Sequence, residues 1–314
     1  FEARTYSLVA FLVFCSLYFL LKHNWKWYIA AATLALYAHP YSLLALAAQG
    51  IYIIFWERPL LKIFLKKACI IALLYLPWTF VIVSQIIRST EMWYYPVTKE
   101  LVRAILGSMY LGYEGTPDKL WEWCAKLSVL ILAIITTSFF NEKVKKVQRL
   151  LFLSLLLPLI AVLGFSFIRP IFTPRYLIFI TISEILLIAI GIFSIPNKWV
   201  KSVIAISSLA FLLFFNTWFP AQNTKQDFQT PFFEINQMMG PDDIVLNKSA
   251  LTFFNAQYYA AYPEQVYLLR EDDMPLPTYV GATLIPKEKW LKNIPKNMRV
   301  FLLDEDGSYE IIKS

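Results

Sequence analysis

The sequence predicts a polytopic α-helical membrane protein of about eight helical passes, followed by a small extracytoplasmic α/β domain. Three observations carry this expectation. Hydrophobic residues make up 58% of the 314-residue chain and charged residues only 16%, whereas a soluble domain is about a quarter charged. The apolar residues are gathered in long blocks, the pattern of membrane spans. From Pro220 onward the composition turns polar.

The blocks run over residues 7–21, 27–38, 41–56, 68–87, 124–140, 150–168, 176–195 and 200–219. Backbone polar groups in lipid need internal partners, so each block is expected to be helical. Some are short for a hydrocarbon core of about 30 Å. The first block is no signal peptide: its leading flank carries Glu2 beside Arg4, and no cleavage site follows. The chain therefore reads as the later part of a longer membrane protein.

Basic loops set the sidedness. Lys22 and Lys26 share one loop; Arg58, Lys62, Lys66 and Lys67 fall in the next basic stretch. Lys143, Lys145, Lys146 and Arg149 form a third, and Lys198 and Lys201 a fourth. All four fall on one side if residues 27–56 form a hairpin turning at His39-Pro40, where proline breaks the helix. Cation-rich short loops stay in the cytoplasm. The formal charge of +7 is thereby explained by topology, and no nucleic-acid partner is expected. Cys15, Cys69 and Cys124 lie in or beside apolar blocks without a CxxC pair, which argues against a disulfide framework or thiolate metal site. With only two histidines, the chain is expected to hold no metal, and no cofactor is called for.

The opposite side then receives Glu2 and Arg4, the His39-Pro40 turn, residues 88–122, Ile168–Pro174 and everything after Phe219. The stretch 88–122 mixes acids, bases and aromatics, among them Trp93, Tyr94, Tyr95, Trp121 and Trp123. Interfacial anchoring and substrate contact both fit it. Its part from Thr98 to Leu111 has helical spacing and can lie flat on a membrane. In the tail, a helix is expected near Gln226–Met239. The runs DDIVLN, QVYLL, RVFLL and YEIIK read as short strands, with turns at Gly240-Pro241 and Asp306-Gly307. Asn247-Lys248-Ser249 fits the glycosylation triplet, a pattern common by chance. No nucleotide-binding fingerprint occurs.

Candidate chemistry lies on the outer side. Arg4, Arg169 and Arg175 stand at outer helix ends, the last two within FIRPIFTPRYLIF. Arginine keeps its charge and offers a planar fork suited to phosphate. Snorkelling to lipid headgroups is the alternative for each. Glu2 beside Arg4 favours an organised polar site. Glu184 sits mid-block, where an ionisable group is costly and marks a functional or paired site. His39 fits either a structural or a ligand-contacting role.

The run EARTYSL ahead of an apolar helix, then LYAHPYSLL, YLPW, an outer loop and FTPRYLIF, resembles the bacterial GT-C-fold glycosyltransferases. Within them it is most similar to the aminoarabinose-transferase-like and protein-mannosyltransferase-like superfamily. The motifs are short, their order is the more specific signal, and the resemblance covers most of residues 1–219; residues 220–314 match only in type. It implies transfer of a sugar from a polyprenyl-phosphate donor to a lipid, glycan or protein acceptor on the outer face of the bacterial inner membrane. The resemblance also implies that Arg4 and Arg175 contact the donor phosphate, supported by Glu2, Tyr6 and Tyr176. Arg169 and His39 join them by position. The catalytic aspartate of such enzymes is expected upstream of Phe1, so this chain alone is expected to be inactive. A polyprenyl-linked sugar flippase and a non-catalytic membrane scaffold are the rival readings.

Overall fold

The computed structural model describes residues 5–88, 97–112, 120–222, 227–270 and 285–312. The chain divides into two compact units, Phe1–Thr217 and Trp218–Ser314.

The first unit is a helical bundle. Its helices are α1 (Tyr6–Leu21), α2 (Trp25–Ala38), α3 (Ser42–Trp56), α4 (Leu61–Arg88), α5 (Lys99–Leu111), α6 (Trp121–Ser138), α7 (Lys145–Ser166), α8 (Ile178–Ser194) and α9 (Lys198–Gln222). Among the described residues, five stretches are long and apolar enough to cross a membrane: Arg58–Ser84, Trp121–Ser138, Glu142–Ser166, Pro174–Ser194 and Lys198–Phe219. Of the about eight passes expected, these five are supported by length and composition. The helices at Tyr6–Leu21 and Ser42–Trp56 are apolar but shorter, and at ~1.5 Å per residue they fall short of a ~30 Å core.

α8 lies at the centre, against α1, α5, α6 and α7. Two glycines permit the closest approaches. A Cβ on Gly191 would lie 2.1 Å from the Ile134 carbonyl oxygen of α6, and one on Gly107 of α5 would lie 2.1 Å from that of Cys124. Lipid gives no hydrophobic drive between apolar helices, so close packing and polar cross-links hold such bundles together. Here Thr137 donates to the Gly191 carbonyl (2.8 Å), and the Gly107 amide donates to Ser128 Oγ (2.8 Å). Gln49 of α3 donates to Ser16 of α1 (2.8 Å), and Gln148 of α7 to Ser138 of α6 (2.9 Å).

α5 is capped at both ends. Thr98 Oγ1 accepts from the Leu101 amide, and Gly112 takes a left-handed φ of 67°. Its apolar face, from Leu101 through Met109, is buried and rests against α6 and α8. That face of a helix whose spacing can also lie flat on a membrane thus has a protein partner.

The second unit holds α10 (Gln229–Met238), β1 (Ile244–Asn247), α11 (Ala250–Tyr259), β2 (Val266–Leu269), β3 (Trp290–Leu291), β4 (Val300–Leu303) and β5 (Tyr309–Ile312). The sheet order is β3-β2-β1-β4-β5. β1 pairs in parallel with β2 and β4, β2 with β3, and β5 closes antiparallel on β4. β1 and β4 are buried throughout, as central parallel strands covered on both faces should be. One sheet face packs with Phe232, Phe253 and Phe301; the other is formed by Ile244, Leu246, Val300 and Leu302. The glycosylation triplet is closed off. Asn247 is fully buried in β1, where its Nδ2 donates to the Tyr267 carbonyl (2.9 Å) and its Oδ1 accepts from Thr252 (3.1 Å).

The turn before β1 is pinned by Asp243, whose Oδ2 accepts from the Gly240 amide (2.7 Å) and from Arg299 Nε (3.1 Å). Arg299 also reaches the Met238 carbonyl. The hydrogen bond from Arg299 holds the Asp243 carboxyl below its usual range. A depressed folded-state pKa gives stability that is full above the unfolded value, about 3.9, and lost as pH falls through the folded one. Asp243→Asn is therefore expected to cost this unit about 2 kcal/mol at pH 7. Thermal melts should show the gap between wild type and variant narrowing below about pH 4.

Candidate functional site

One end of the bundle collects most of the described candidates. Three pieces of chain meet there: the start of α1, the turn between α2 and α3, and the segment joining α7 to α8. Thr5 Oγ1 donates to the Ala38 carbonyl (3.2 Å), tying the first two. Tyr41 Oη donates to the Ile171 carbonyl (2.9 Å), tying the turn to the joining segment. The Ile171 amide donates to Ser166 Oγ (3.3 Å), which fixes that segment to the end of α7. Pro174 then starts a 3-10 turn, Pro174–Leu177, that leads into α8.

The result is an aromatic cluster. The His39 ring centroid lies 4.9 Å from Tyr176 and 5.2 Å from Tyr41; Tyr41 and Tyr176 are 5.5 Å apart. Tyr6 sits 6.1 Å from Tyr176 and 6.2 Å from His39. These separations suit offset or tilted aromatic pairs. The Tyr41 amide donates to His39 Nδ1 (3.2 Å), so neutral His39 carries its proton on Nε2. Burial pushes His39 below the ordinary imidazole value, which keeps it neutral at pH 7.

Tyr6, His39 and Tyr176, named from the sequence, are thus brought together. Arg175 adjoins Tyr176 within the 3-10 turn and is partly buried; Arg169 lies earlier on the same joining segment. Glu2 and Arg4 lie outside the described residues, as do Trp93, Tyr94 and Tyr95. Sequence reasoning missed Tyr41. Its signal was available: it stands two residues after His39 in a turn already singled out.

Glu184 is elsewhere, inside α8. It is fully buried, and among the described residues neither carboxyl oxygen has a hydrogen-bond partner. Ser183 Oγ beside it is also without one. An unpaired buried polar group costs about 1–3 kcal/mol. Glu184→Met keeps the length and removes both oxygens. It is expected to raise the melting temperature of the detergent-solubilised protein, whereas a loss of stability would mean that the carboxyl is held by a group outside the described residues.

Among the described residues, no three His, Cys, Asp or Glu side chains gather closely enough to hold a metal ion. No protein-family model, curated protein or solved structure matches this chain.

Proposed function

We propose that the chain is the donor-binding part of a membrane glycosyltransferase that moves a sugar from a polyprenyl phosphate to a lipid, glycan or protein acceptor. The observation that supports this reading is the convergence of Tyr6, His39, Tyr41 and Tyr176 beside the Arg175 turn at one end of a membrane bundle. Aromatic faces suit the apolar faces of a sugar ring or an isoprenoid chain. Arg175 supplies the planar donors that suit a lipid phosphate. Neutral His39 adds an N–H without adding charge.

In the reaction proposed, an acceptor oxygen bonds to the anomeric carbon as the bond from that carbon to the lipid-phosphate oxygen breaks. The acceptor's proton passes to a carboxylate base, which we assign to no residue of this chain. The electron pair leaves with the phosphate, where cationic donors stabilise it. On this reading the cluster and residues 220–314 face outward from the inner membrane.

The test is binding of polyprenyl phosphate to the detergent-solubilised chain, alongside transfer of labelled sugar in membranes expressing the whole gene. Binding that saturates, and transfer that tracks the gene, support the reading. Movement of labelled lipid across vesicles without transfer would favour the flippase instead.

A further inference from the structure

A second polar site lies at the opposite ends of α1 and α3, where the basic loops gather. A cavity of about 130 Å³ opens there, with Leu21 and Ile53 among its apolar walls and His23, Tyr52, Glu57 and Lys146 as its polar groups. Lys146 Nζ sits 2.7 Å from Glu57 Oε1, and Tyr52 Oη donates to the same oxygen at 3.5 Å. Glu57 is mostly shielded, at 18% side-chain exposure, while Lys146 is 74% exposed. His23 is held at the rim by the left-handed turn (φ 53°) that ends α1. Arg149 lies nearby, over the Trp56 ring at 5.5 Å.

We propose that this cavity binds the headgroup of a phospholipid carrying both a phosphate and a primary ammonium, a phosphatidylethanolamine. The charges in the cavity decide the class. A purely anionic headgroup would meet the Glu57 carboxylate. A headgroup with an ammonium places it on Glu57, and the exposed Lys146 side chain swings from Glu57 to the phosphate. One ion pair becomes two, and no charge is left unpaired. A primary ammonium offers three N–H donors to the carboxylate and to Tyr52 Oη, whereas a quaternary ammonium offers none. The lipid source follows from the apolar walls, from Trp56 at a membrane-interface position, and from the basic pocket at a helix-bundle end, a common setting for lipid headgroups.

The experiment is lipid titration of the detergent-solubilised chain, read by native mass spectrometry. Phosphatidylethanolamine should bind about tenfold more tightly than phosphatidylcholine or phosphatidylglycerol. Glu57→Gln should remove that preference, while Lys126→Ala, in an exposed pair on α6, should leave it unchanged. Phosphatidylglycerol binding as well as phosphatidylethanolamine would overturn the proposal, since cation attraction alone would then suffice. Soluble phosphoethanolamine competing at equal affinity would overturn the lipid assignment. The wild-type comparisons need no variant to fold, and none depends on the glycosyltransferase reading.

Discussion

Gly191→Ala is expected to split the bundle at its centre. The added Cβ would sit 2.1 Å from the Ile134 carbonyl oxygen, well inside any real contact. Backbone cannot swing aside as a side chain can, so α6 and α8 must separate. Separation also stretches the Thr137 bond to the Gly191 carbonyl and the Asn141 bond to Ser194 (3.2 Å). Overpacking costs about 1–3 kcal/mol where side chains relax, and here the obstacle is main chain; we expect about 3 kcal/mol or more. The readout is the melting temperature of the purified protein and the yield from membranes. Gly164→Ala is the control, since nothing lies within 4 Å of its Cβ position, and it should melt like the wild type.

Arg175→Ala is expected to weaken polyprenyl-phosphate binding by at least about tenfold, the value of one charge-assisted contact. Sugar transfer by the whole gene product should fall about a hundredfold, as when one donor to a developing oxyanion is lost. Arg175→Lys should restore little, because an ammonium lacks the planar fork. A variant that binds and transfers normally while melting like the wild type would remove Arg175 from the site. Pro170 and Pro174 stiffen the segment leading into it, Pro174 directly before Arg175, so the backbone is expected to keep its course without the side chain.

Much of this fold is legible in the sequence, because hydrophobic blocks and short strand runs are local patterns. The four runs read as strands, DDIVLN, QVYLL, RVFLL and YEIIK, contain β1, β2, β4 and β5. What was missed depends on distant partners. β3 is two residues long and exists through pairing with β2. α11 follows β1 directly with Ser249 as its cap, and its mixed composition gives a weak periodic signal. The number of spans is not fixed by the blocks, because an apolar block has the same appearance whether it crosses lipid or is packed short inside a bundle. The buried cross-links through Gln49, Ser128 and Gln148 were likewise invisible, since a lone polar residue in an apolar block gives no hint of its partner. In the site, residue types were readable but their meeting was not: Tyr6, Tyr41 and Tyr176 lie on three separate pieces of chain. The Tyr41 hydroxyl, on the Ile171 carbonyl, ties two of those pieces together.

The strand order has a consequence for synthesis. β1 forms early in its domain, yet one of its two edges waits for β4, more than fifty residues later: Ile244 aligns with Val300. Closing so long a loop is entropically slow, as parallel pairings generally are. Until the ribosome has released β4, the Ile-Val-Leu run of β1 presents an open hydrogen-bonding edge, the template on which chains aggregate. A stop codon anywhere before Val300 would make that state permanent, so β4 carries a disproportionate share of this domain's solubility.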